Sequence, residues 1–102
     1  MNIYLINQVE TNYYKIGITK KNPEIRLKEL SIGNPQELKF IVSFKTKNDF
    51  LLERSLHAHY REKKVNSEWF ELSDEEVSLF IDECTKKEKN LTFLKESGNP
   101  FI

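Results

Sequence analysis

Cysteine occurs once in the 102 residues, as Cys84, so no disulfide can close within the chain and a cysteine-built zinc framework is excluded. Glycine and proline occur three times each, and no interior stretch reads as a flexible linker, a repeat or a low-complexity tract. No apolar run approaches the roughly 18 residues that cross a bilayer. Met1-Asn2-Ile3-Tyr4 also lacks the basic stretch and small-residue cleavage site of a signal peptide. The reading is a cytoplasmic chain without a membrane partner. Net charge is missing too: 16 Lys and Arg balance 16 Asp and Glu.

What is present is an uneven distribution of that charge. Residues 1–64 hold 12 bases against 7 acids, residues 65–85 hold seven acids and no base, and residues 86–102 return to +2. A basic body ahead of an acidic segment can turn a positive face toward phosphates even at zero net charge. A length of 102 residues corresponds to one domain with its own core, without help from metals or disulfides. The division expected is a domain over residues 1–85, with 86–102 as a helix end and loose tail.

Ile3–Ile6 and Tyr13–Thr19 are short runs of β-branched and aromatic residues, joined by a polar stretch suited to a hairpin. In the second run, alternation puts Tyr14, Ile16 and Ile18 on one face and Tyr13, Lys15 and Gly17 on the other. Asn22-Pro23-Glu24 starts a helix with a capping side chain, a proline at the first helical position and an acid in the first turn. Gly33-Asn34-Pro35 stops it. Leu38–Phe44 is apolar on both sides of the alternation and is expected to lie well inside the sheet. A second helix runs from Asn48 or Asp49 to Tyr60 or Arg61, with Leu52 and Leu56 toward the core and Glu53, His57 and Arg61 on an adjoining stripe. A last helix opens at Ser73, where Glu76 completes a capping box, and its pattern decays beyond Lys86, with Ser97-Gly98-Asn99-Pro100 as loose tail. The order ββαβαα describes an α+β domain: a small three-stranded antiparallel sheet flanked by helices.

Phosphodiester hydrolysis needs an activated water, positive charge on the scissile phosphate and charge relief at the leaving oxygen; a divalent cation on a carboxylate commonly supplies part of this. Several side chains suit such work, although each has an ordinary structural role open to it. Tyr4 is a strand tyrosine, most often a packing residue. Lys15 interrupts an apolar strand beside a glycine. Arg26 stands in the first turn of a helix, against the helix dipole, as a residue that holds an anion would. Glu53 is the carboxylate best placed for metal, one turn before His57. His57 and His59 face different sides of one helix, so they make no zinc pair. Trp69-Phe70 reads as an anchor for a short segment on the core.

Taken in order, these residues resemble the GIY-YIG nuclease superfamily, in its small branch of the T5 phage open-reading-frame and meiotically up-regulated gene type. Ile3-Tyr4 is similar to the end of the first motif and Lys15-Ile16-Gly17 occupies the second. Arg26 falls at the catalytic arginine's spacing, and Leu30-Ser31-Ile32-Gly33-Asn34-Pro35 is similar to the segment after the first helix. Glu53, Leu56 and His57 match Glu-x-x-Leu-His, and Glu68-Trp69-Phe70 matches Glu-Trp-Phe. The first motif's glycine is replaced by Asn2 and the second motif's tyrosine by Lys15, a variant of the pattern. The resemblance covers roughly residues 2–80. It implies Mg²⁺ or Mn²⁺ held by Glu53, a scissile phosphate polarised by Arg26, and Tyr4 acting as or assisting the general base. Lys15 would favour the phenolate or orient the water. Tyr14, His57 and Asn66 are secondary candidates; Asn66 stands nearest to a late asparagine of the family. Lys20, Lys21, Arg26 and Lys28 would meet the nucleic-acid backbone. The expected partner is DNA, although nothing in the sequence separates it from RNA, and a protein partner could supply specificity. The rival expectation is the same fold kept as a DNA-binding or protein-interaction module with catalysis impaired.

Overall fold

The computed structural model describes residues 1–98. Its first two strands, β1 (Asn2–Gln8) and β2 (Tyr13–Thr19), form an antiparallel pair in register from Asn2↔Thr19 to Asn7↔Tyr14. The expected hairpin turns on Glu10, which sits at φ 65°. Asn7 holds it closed by donating its side-chain amide to the carbonyls of Thr11 and Tyr13, each at 3.0 Å.

Helix α1 (Pro23–Ser31) begins as its sequence dictates. The Asn22 side chain accepts the Glu24 N–H at 2.8 Å, and Pro23 fills a position where no N–H is needed. Gly33 follows at φ 73°, in the left-handed region that glycine enters without steric cost.

β3 (Leu38–Lys45) pairs with β1 alone, across a bulge at Leu5/Ile6, and is an outermost strand. This corrects the expectation that it lies inside the sheet. Its apolar residues on both sides reflect cover from α1 and from the core, where Ile41, Val42 and Phe44 pack at the margin.

Helix α2 (Asp49–His59) buries Leu52 and Leu56 as its stripe requires, and a 3₁₀ turn at Arg61–Lys63 follows it. Arg61 therefore leaves the Glu53–His57 stripe. Next come β4 (Lys64–Asn66) and β5 (Trp69–Glu71), joined through Ser67 at φ 36°. The sheet has five strands in the order β3-β1-β2-β5-β4, correcting the expected three, and the element order is ββαβαββαα. Strands of three residues are shorter than any alternation can register, so Trp69-Phe70 read as a core anchor when it is also a ladder rung opposite Lys15 and Tyr14.

Ser73 and Glu76 form the expected capping box, but the helix breaks at Leu79 into α3 (Asp74–Ser78) and α4 (Phe80–Glu96). α4 continues well past Lys86. Its second half is held by polar contacts that hydrophobic periodicity does not record. The Glu88 carboxylate accepts Thr46 Oγ1 at 2.8 Å, the Lys47 N–H at 3.1 Å and the Asn48 side-chain amide, while Asn48 also donates to Thr92 Oγ1. Thr46 and Asn48 are buried, so Glu88 satisfies donors that would otherwise cost about 1–3 kcal/mol each. The clamp fixes the turn that launches α2. Ser97 and Gly98 turn off the helix end; Asn99 and Pro100 of the expected tail lie outside the described residues.

Ile3, Leu5, Tyr14 and Ile16 present one sheet face to Leu52, Leu56, Tyr60, Phe70, Leu72, Phe80 and Cys84, which together form the core. Burial pushes the Cys84 thiol up to about 12, which keeps it protonated and unreactive. No helix among the described residues is long and apolar enough to cross a membrane.

Candidate functional site

The other sheet face is built around Tyr4. Its register partner on β2 is Gly17, and a Cβ placed there would come within 2.2 Å of the Tyr4 hydroxyl oxygen. Glycine is required because the tyrosine ring lies across the neighbouring backbone, leaving no room for a side chain. Tyr4 is only 1% exposed. Burial raises its pKa above the ordinary phenol value, opposed by a hydrogen bond from Arg26; the carboxylates Glu68 and Glu53 push it further upward.

Arg26 acts on this hydroxyl from the first turn of α1. Tyr4 is in turn the largest influence on its guanidinium, which is held more firmly charged than usual. Its Nη1 also lies 3.5 Å from Glu29 Oε1. Glu29, paired with Lys21 as well as Arg26, titrates below the usual carboxylate range.

Lys15 is buried and forms an ion pair with Glu68, from the turn between β4 and β5. The backbone repeats the connection, since the Ile16 N–H donates to the Glu68 carbonyl at 3.1 Å. From the next helix, His57 lies with Nε2 at 2.8 Å from the Ile16 carbonyl. A carbonyl can only accept, so Nε2 carries the proton and donates. The imidazole also packs against Phe70, with ring centroids 5.0 Å apart.

Glu53, one turn before His57, is half-buried. Its pKa is raised, first by burial and then by Glu68; His57 and Lys15 oppose the shift, and no hydrogen bond contributes. Tyr4 thus senses Arg26, Glu53 and Glu68, and Glu53 senses Glu68 and Lys15. The four principal candidates, Tyr4, Lys15, Arg26 and Glu53, converge with Glu68 in one electrostatic cluster. Two strands, two helices and one turn supply them.

The remaining candidates fall elsewhere. Tyr14 faces the core, where burial raises its pKa and Asp74 adds to the shift. Asn66 stands exposed on the outermost strand β4, lining a shallow hollow with Gln8, Tyr13, Val65 and Trp69. Lys20 and Lys28 are exposed, and Lys21 is bound to Glu29. One expectation needs correction: Lys15 does not stand ready to favour a Tyr4 phenolate, because Glu68 engages it and the cation acting on Tyr4 is Arg26.

The glycine beside Lys15 is expected from the strand pattern to let a ligand approach the backbone, but the Tyr4 ring fills that space; Glu68 is present only as a motif letter. Glu68 had one available signal, a lone buried lysine on β2 that required a counter-charge from somewhere in the chain. Glu29 and Glu88 carried no local signal beyond ordinary helix polarity.

Among the described residues, no three His, Cys, Asp or Glu side chains are grouped to cage a metal. The donor set is one carboxylate, Glu53, with Glu68 engaged by Lys15. Such a set fits a hydrated divalent ion that keeps most of its waters and does not fit a zinc or calcium cage.

The fold and cluster define an α+β domain with an arginine, a phenol and a half-buried carboxylate gathered beside one sheet. The chain belongs to the T5orf172 domain family, whose model matches residues 1–85, and this is a nuclease-associated family. Comparison with curated proteins and with solved structures gave no match.

Proposed function

We propose that this protein is a metal-dependent endonuclease of GIY-YIG type that hydrolyses DNA phosphodiester bonds with weak intrinsic sequence specificity. The observation that carries the reading is that Arg26 acts on the Tyr4 hydroxyl, and that both belong to one electrostatic cluster with the half-buried Glu53 carboxylate, which has no bonded partner among the described residues.

Arg26 holds the scissile phosphate; a firmly charged guanidinium with several donors suits a non-bridging oxygen pair. The raised pKa keeps Tyr4 protonated near neutrality, so it assists by orienting the water and does not begin as a phenolate. Lys15, held in place by Glu68, would orient the attacking water through its remaining N–H donors. His57 fixes the Ile16 backbone and thereby the Lys15–Gly17 strand. Glu53 would hold Mg²⁺ or Mn²⁺, which when bound supplies charge relief at the leaving oxygen. Contacts of this kind are made to phosphate and carry no base information, so specificity would come from DNA structure or from a protein partner. RNA presents the same phosphates.

The test is nicking of supercoiled plasmid in Mn²⁺. Arg26→Ala is expected to cut about 100-fold more slowly or worse, the usual scale for removing one preorganised charge from a transition state. Parental rates in Arg26→Ala would refute the assignment. A second reading has its own support: Lys15 and Arg26 are each engaged by a glutamate, as suits a binding module with impaired catalysis. That reading predicts a gel shift without nicking by the parent protein.

A further inference from the structure

Beside the cluster lies a hollow of about 290 Å³ of which the catalytic reading uses Arg26 alone. Arg26 forms part of its wall, so it opens directly onto the phosphate position proposed above. Ile18 and Phe50 supply apolar surface, Lys20 and Lys21 the basic rim, and Glu29 a single carboxylate already engaged by Lys21 and Arg26. Phe50 is 56% exposed, an unusual state for a phenylalanine in the first turn of a helix packed on a sheet. It precedes Glu53 by three residues on α2, so the two side chains stand on neighbouring positions of one helix face.

An aromatic face, an aliphatic wall and a shared arginine match the three parts of a nucleotide. The base stacks on an apolar plane, and its 5′ or 3′ phosphate meets the cations. A paired base inside a duplex cannot offer its face to Phe50, whereas an unpaired one can. We propose that this hollow is a base-stacking subsite, in which Phe50 receives the unpaired base next to the scissile phosphate. The preferred substrate class is then single-stranded DNA or duplex DNA with an unpaired or displaced nucleotide. This rests on the nuclease reading for the position of the phosphate, but stacking can be measured without cleavage.

The probe is a ten-residue oligothymidylate carrying one central 2-aminopurine, bound to Glu53→Gln protein so that cutting does not interfere. Stacking of roughly 1–3 kcal/mol per base corresponds to about 5- to 150-fold weaker binding when Phe50→Ala is added. Phe50→Trp should retain affinity. The 2-aminopurine emission should change on binding with Phe50 or Trp present and not with Ala. The same oligonucleotide with a central abasic site should bind the Phe50 and Ala proteins equally. Unchanged affinity and emission in Phe50→Ala, or equal binding of abasic and intact strands, would overturn the subsite. So would tighter binding of fully paired duplex than of single strand. Failure of the parent to nick plasmid while these differences persist would remove the nuclease reading and leave the subsite standing.

Discussion

The two faces of the sheet are built on opposite principles. On one, Ile3, Leu5, Tyr14 and Ile16 meet Leu52, Leu56 and Phe80 in a dry core where each side chain lowers the free energy by leaving water. On the other, Tyr4, Lys15 and the neighbouring Glu53 are withdrawn from water as polar or charged groups. They are tolerated because Arg26 and Glu68 answer two of them. Glu53 has no bonded partner among the described residues, and burial raises its pKa. One face is optimised for stability; the other holds a carboxylate in a setting that penalises its charge, which supports the cation-holding role proposed for it.

The sharpest way to separate the faces is to damage each in turn. Leu56→Ala on the core side should cost about 2–5 kcal/mol of stability, read as a lower thermal midpoint, while activity per folded molecule below that midpoint is kept. Gly17→Ala attacks the other face through packing. Its methyl group collides with the Tyr4 hydroxyl, so an overpacking cost of about 1–3 kcal/mol is expected together with loss of nicking, since Tyr4 must leave Arg26. Retained nicking with an unshifted midpoint would show that the ring is not fixed across β2.

The smallest effect is the most telling. Glu53→Gln should abolish nicking and yet raise the thermal midpoint slightly at neutral pH, the gain kept small because water still screens the exposed part of the carboxylate. The sign follows from linkage: a carboxylate whose folded pKa is raised binds its proton more tightly in the native state. Parental stability from this group is therefore full below the unfolded value of 4.5 and declines as pH rises through the folded pKa. Melts near pH 4 should agree between parent and variant, and melts near pH 7.5 should favour the variant. A variant less stable than the parent at neutral pH would show that Glu53 is satisfied by the protein itself.

Sequence reading succeeded where information was local. Asn22, Pro23 and Glu24 specify a helix start within three residues, Ser73 and Glu76 specify another, and Leu52 and Leu56 announce the buried side of α2. It failed where neighbours in space are far apart in sequence. β4 and β5 are too short to show a period and exist because the β2 edge accepts them. The helical run of residues 86–96 owes its order partly to Glu88 bonding a turn some forty residues earlier. The site divides the same way. Tyr4, Lys15, Arg26 and Glu53 are candidates named from ordered motifs; Glu68 stands in a motif too, but its pairing with Lys15 is not written there, and Glu29 carries no motif at all. Asn66 and Tyr14 followed from motif proximity, and strand order and side-chain alternation place them elsewhere.

By itself, the sequence determined the α+β class, the hairpin, the helix starts and the short set of residue types able to handle a phosphate. Each of these is written in spacings of four residues or fewer, the range over which backbone preference and periodicity act. Only tertiary structure decided that Lys15 answers Glu68, that Arg26 rests on Tyr4 and that Gly17 exists to let that ring pass. Those pairings join strands, helices and turns up to about fifty residues apart, and burial, which no local pattern measures, sets the charge each group carries.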